Sequence, residues 1–107
     1  MLSSIKKMVI GFSSIKFYLH GNHSLKEKRR VVRAIKDRLK NNFNVSVAEV
    51  GDQDKWQSLH IGVSAVGSDQ PYMEGLMEKV VNAIDRMNLA EITDCRTETL
   101  NLGSGNF

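Results

Sequence analysis

The residues in this sequence best equipped to do chemistry are cations. Lys26, Arg29, Arg30, Arg33, Lys36 and Lys40 recur at intervals that gather them, at ~100° per residue, into a helical wedge about 120° wide. Residues 26–40 hold eight Lys/Arg against Glu27 and Asp37, a local balance of +6 in a chain whose net charge is +3. The remainder of the chain is therefore net acidic, and the basic character is local. The chemistry such an edge offers is ionic rather than covalent. Arg29, Arg30 and Arg33 carry guanidinium groups, whose planar donors match phosphate oxygens two at a time. A charged flank also serves simple solvation, and Lys and Arg are good helix formers. A third reading is neutralisation by Glu74, Glu78 and Asp85, which cluster on one flank of a later helical stretch. Like charges at i,i+4 spacing destabilise a helix, so crowding this many cations needs a reason. Contact with the phosphates of RNA or of a ribosomal particle is the expectation taken here.

Other chemistry-bearing residues make weaker cases. Lys28 points into the apolar arc of the same helix. Either its stem lies along the core edge and its ammonium reaches solvent past the helix start, or a carboxylate such as Asp52 or Asp54 holds it. His20 and His23 are turn residues without an evident third ligand beyond Asp52 or Asp54, and no metal site is expected from them. Asp54, Trp56 and Gln57 lie in a polar loop that carries the sole Trp, which can anchor the loop or meet a partner. The sequence holds no phosphate-binding glycine loop, no nucleophile elbow and no Cys–His signature. An enzyme is not expected, and neither is a cofactor. Cys95 is the only cysteine, which suits a reducing, cytoplasmic setting. Lys6 and Lys7 precede an apolar run too short for a secretory segment, and no stretch approaches the length that spans a bilayer.

Positioning these residues requires six elements. Ser24, followed three residues later by Glu27, is a capping box that starts a helix over about 25–40. Leu25, Val31, Val32, Ile35 and Leu39 form its apolar stripe, and Asn41-Asn42 suits a left-handed end. Ahead of it, residues 8–20 alternate as a strand with Ile15, Phe17 and Leu19 on the core face. Strands follow over 44–50 and 59–66. A second helix then starts near Pro71, carries Met73, Leu76, Met77, Val80, Val81, Ile84 and Met87 inward, and ends at Asn88. Residues 91–100 form a last strand, polar enough for a sheet edge. Residues 1–7 and 101–107 read as flexible ends around a single domain over 8–100.

The order βαββαβ gives an α+β, ferredoxin-like fold: a four-stranded antiparallel sheet with both helices on one face. The other face is left without a helix. Ile10, Phe12, Tyr18 and Val66, joined by Ala48 and Val50, are expected there, and a homodimer covering that patch is the simplest consequence. Docking of another protein through the same face is the alternative function to RNA binding.

Three motifs in this order, His23-Ser24-Leu25-Lys26-Glu27-Lys28-Arg29-Arg30-Val31-Val32, Phe43-Asn44-Val45-Ser46-Val47-Ala48-Glu49-Val50 and Asp54-Lys55-Trp56-Gln57, resemble the YlxP-like family of small bacterial proteins of unknown function. The resemblance spans about Met8 to Leu100 and implies a ferredoxin-like fold. Family members are commonly encoded beside translation and ribosome-maturation genes, which implies an RNA or ribosome connection. It implies no catalytic residues. Gly51 stands where a His is common in that family, and Cys95 where an aliphatic residue is usual.

Overall fold

The computed structural model describes residues 7–103. Six elements follow one another: β1 (Met8–Tyr18), α1 (Leu25–Asn42), β2 (Ser46–Gly51), β3 (Ser58–Gly67), α2 (Gln70–Met87) and β4 (Glu91–Leu102). The strands form one antiparallel sheet in the order β2-β3-β1-β4, with β1 and β3 central. This is the expected ferredoxin-like βαββαβ arrangement, and β4 does lie at an edge.

Alternation along the central strands decides which face carries the helices. Val9, Ser13, Ile15 and Phe17 of β1 and Leu59, Ile61, Val63 and Ala65 of β3 are buried. All of these but Ser13 meet Val32, Ile35 and Leu39 of α1 and Met73, Met77, Val80 and Ile84 of α2 in one cluster. Burying a side chain of this size contributes about 1.5–3 kcal/mol, so this shared face is what fixes the two helices on the sheet. Gly11 lets α2 approach β1: a Cβ there would lie 2.7 Å from Met73 Sδ and 2.8 Å from Met77 Cγ. The one buried hydroxyl of β1, on Ser13, pairs with Thr97 of β4 at 2.8 Å.

Some expected boundaries move. Leu25, placed in the core stripe by spacing, is 37% exposed because it sits on the first turn, beyond the sheet's cover. The end of α1 has no left-handed Asn. Asn42 stays helical and its side-chain amide donates to Arg38 O at 2.8 Å, while Phe43 turns directly into extended backbone and packs on the core. The left-handed Asn ends α2 instead, at Asn88 (φ 51°, ψ 38°). The last strand continues through Asn101 and Leu102, which pair with Val9 and Met8, so the first two residues of the expected C-terminal tail belong to the sheet. Of the rest of the expected flexible ends, Lys7 and Gly103 are exposed and outside any strand or helix, and residues 1–6 and 104–107 lie outside the described residues.

Candidate nucleic-acid interface

The start of α1 is built as a cap. Ser24 is extended (φ −160°, ψ 159°), and its hydroxyl accepts from the Glu27 N–H at 3.1 Å. The Glu27 carboxylate reaches back one residue further than a standard capping box, accepting from the His23 N–H at 2.9 Å rather than from Ser24. Two otherwise unpartnered N–H groups are satisfied, and a carboxylate sits at the positive end of the helix.

One turn later Lys28 is 2% exposed, so its ammonium does not reach solvent. Nor do the Asp52 and Asp54 carboxylates hold it. Its Nζ donates to the backbone carbonyls of Asp52 (2.5 Å) and Lys55 (2.6 Å), and Glu49 Oε2 lies 3.1 Å away as the counter-charge, though outside hydrogen-bond alignment. Glu49 shares the inward parity of Val47 on β2, which brings its carboxylate under the helix. Asp52 adopts a left-handed conformation (φ 56°) that turns its carbonyl toward the ammonium. Asn22 completes the clamp, its amide donating to Ser24 O at 3.1 Å and to Trp56 O. The 52–57 loop is thereby pinned to the first turn of α1. Asp54 and Trp56 are exposed and Gln57 is half-buried. The Trp56 ring stands 6.2 Å from that of His23, so the sole Trp sits at the same end of α1 as Lys26. His20 has a different neighbour, with Nε2 2.5 Å from Glu91 Oε1, so each of the two histidines has its own partner.

Along α1, Lys26, Arg29, Arg30, Arg33 and Lys40 are exposed and Lys36 is half-buried. Among the described residues none of the six is in an ion pair. Arg29 borders a groove with Val32, Glu49 and Gln53, on the β2 side of the helix. The opposite flank, with Arg38 and Asn42, borders a crevice shared with Ala83 and Arg86 of α2. The basic wedge therefore faces away from α2, over the β2 edge. The acidic flank of α2 lies over the other edge: Gln70 bonds both Glu74 and Thr99 of β4, and Asp85 borders a pocket with Glu91 and Ile92. Neutralisation of one flank by the other within the chain is excluded. From Lys26 to Lys40 the flank runs ~21 Å at 1.5 Å per residue, long enough for several successive phosphates.

The helix-free face carries the apolar residues expected of it. Phe12 is 39% and Val66 65% exposed, with Tyr18 and Val50 also exposed and Ile10 half-buried. Exposed Leu100, opposite Ile10 on β4, belongs to the same patch. It was not read from sequence, since β4 shows too weak an alternation to assign its faces. Base stacking across the two central strands has little support: Ser64 lies opposite Phe12, Ser58 opposite Tyr18, and His60 is bonded to Ser14 Oγ at 2.7 Å.

A family model described as "Protein of unknown function (DUF503)" matches residues 10–97. The chain is 40% identical over 90 residues to the "Uncharacterized protein YlxP" of Bacillus subtilis (strain 168), covering 84% of this chain and 98% of that protein. A solved structure titled "De novo designed protein Foldit4" aligns at a TM-score of 0.48 and 16% identity, covering 91% of this chain and 97% of that one. Among the described residues, no helix is long and apolar enough to cross a membrane.

Proposed function

Because the chain belongs to the DUF503 family of proteins of unknown function, its role has to be argued from its surfaces, and we propose that it is a non-catalytic, cytoplasmic protein that binds RNA or a ribosomal particle through the basic flank of α1. The observation that carries this reading is the placement of six cations on one outward flank without an internal counter-flank. Lys26, Arg29, Arg30, Arg33, Lys36 and Lys40 supply the phosphate contacts. Trp56 and Asp54, held beside the helix start by Lys28, form the adjoining loop. Affinity built on phosphate contacts falls steeply with salt, because each contact releases condensed counterions.

The test is co-sedimentation with ribosomal subunits and total RNA at low and moderate salt, followed by titration of the bound RNA at several salt concentrations. Binding that weakens steeply with salt supports the proposal. No association at low salt, or association indifferent to salt, refutes it.

The helix-free face favours a second and separate use, contact with protein, because Phe12, Val50, Val66 and Leu100 are exposed together on it. Such contact should be nearly indifferent to salt, which distinguishes the two surfaces.

A further inference from the structure

We infer that the helix-free sheet face is closed by a second copy of this chain, packed face to face about a twofold axis, and that twofold edge-to-edge pairing is disfavoured by like charge. The inference rests on the second reading above and commits it to one occupant.

Area is the first argument. Strands of 11, 6, 10 and 12 residues make up the face. At ~3.3 Å per residue and ~4.8 Å between strands they cover roughly 600 Å². Two such faces bury roughly 1,200 Å², the lower end of specific stable interfaces. The patch also has relief. Gly62 leaves a shallow apolar groove bordered by Phe12, Ala48 and Val50, into which a partner's side chains can pack.

Charge is the second argument, and it selects among the ways two copies can meet. Twofold pairing through the β2 edge would set the basic flank of α1 against its own copy. Twofold pairing through β4 would set Glu74, Glu78 and Asp85 against theirs. Both place like charges side by side next to the new strand pair, where they cost several-fold to many-fold in affinity. On the helix-free face the signs alternate instead: Lys16 lies opposite Asp94, and Arg96 sits between Asp94 and Glu98 on β4. A twofold partner therefore meets mixed charge at Lys16 and along β4, and apolar surface at the end of the sheet where Val66, Ile10 and Leu100 lie side by side next to Phe12. Face-to-face packing leaves both α1 flanks outward, so the dimer presents two phosphate-binding edges rather than one.

A heterologous contact, β2 of one copy against β4 of the next, would pair basic with acidic flanks, but it gives no twofold dimer and, unless its rotation closes a ring, grows without limit. The mass in solution separates these geometries. Sedimentation equilibrium of the full chain across the micromolar range should give a dimer whose dissociation constant barely changes with salt. Val66→Lys with Leu100→Lys, both at exposed positions, should weaken it about a hundredfold by setting four cations in the apolar patch that the two copies share. Phe12→Ala, a milder change, should weaken it about tenfold. Circular dichroism confirms that each variant is folded, and Phe12→Ala decides the matter if the double variant is not. Arg30→Glu with Arg33→Glu should leave the dimer intact, so loss of RNA binding and loss of the dimer are independent results. A monomer throughout the range, a dimer unmoved by these substitutions, or a mass that rises steadily and collapses in salt would each overturn the inference.

Discussion

Removing the Lys28 ammonium should be far more damaging than removing any other cation of α1. Lys28→Ala strips the donors from two loop carbonyls and leaves the Glu49 carboxylate, itself largely covered, without its counter-charge. Breaking a buried pair by deleting one partner typically costs 3–5 kcal/mol, because the remaining charge stays desolvated. An exposed pair is worth only about 0–1 kcal/mol, so the two descriptions of Lys28 differ by a measurable margin. For a domain of this size, a loss of ~3 kcal/mol lowers Tm by about 12–20 °C. Urea denaturation followed by circular dichroism gives the stability directly. Trp56, the only Trp, reports the loop: freed from its anchorage, its emission should shift toward that of a solvated indole. Lys28→Met combined with Glu49→Leu removes both charges and should recover part of the loss. A loss below about 1 kcal/mol with unchanged Trp56 emission would refute the clamp, since that is how an exposed lysine behaves.

Replacing Arg30 and Arg33 by Glu should weaken RNA binding severalfold or more and reduce the salt slope by about one unit per cation lost. Folding should stay within about 0.5 kcal/mol of wild type, and binding titrations at several salt concentrations beside circular dichroism check both. Ser24→Ala should lower stability by about 1 kcal/mol through loss of the helix cap, read as a shift in the urea midpoint at constant slope. Gly11→Ala should destabilise by about 1–3 kcal/mol, because its methyl would press on two fully buried methionine side chains; an unchanged midpoint would mean that α2 can lift from β1 at no cost.

The elements were legible because each carries its own local signal. Strict alternation marked β3, the period of Met73, Met77, Val80 and Ile84 marked α2, and Ser24 with Glu27 marked the start of α1. What escaped were contacts that local pattern does not encode. The apolar arc held Lys28, but its partners are mostly loop carbonyls, which every residue type supplies equally. Glu49 carries a readable signal, an acid on the inward parity of β2 beside Val47. The cap carboxylate chose the His23 N–H over its neighbour, a difference of one residue that spacing alone does not resolve. Leu100 was hidden because β4, exposed on both faces along most of its length, shows almost no alternation.

The charge segregation has a geometric cause that also explains why sequence left it open. On both helices the charged flank is rotated in the same sense from the buried stripe, by about 80–200° on α1 and about 100–140° on α2. The βαββαβ fold relates its two halves by a pseudo-twofold, so equally rotated flanks must either face each other between the helices or lie at opposite edges of the sheet. A wheel does not distinguish these, because it carries no handedness of packing against the sheet. The crevice between the helices does: it is bordered by Arg38 and Asn42 of α1 and by Ala83 and Arg86 of α2, none of which belongs to the two charged flanks. The cations are thus forced over β2 and the acids over β4, with the width of a four-stranded sheet between them. At ~4.8 Å per strand that separation exceeds the ~8–10 Å screening length of physiological salt, so the acidic flank scarcely weakens the basic flank's attraction for phosphate. A chain with a net charge of only +3 can in this way present an edge that behaves, to a polyanion, as strongly cationic.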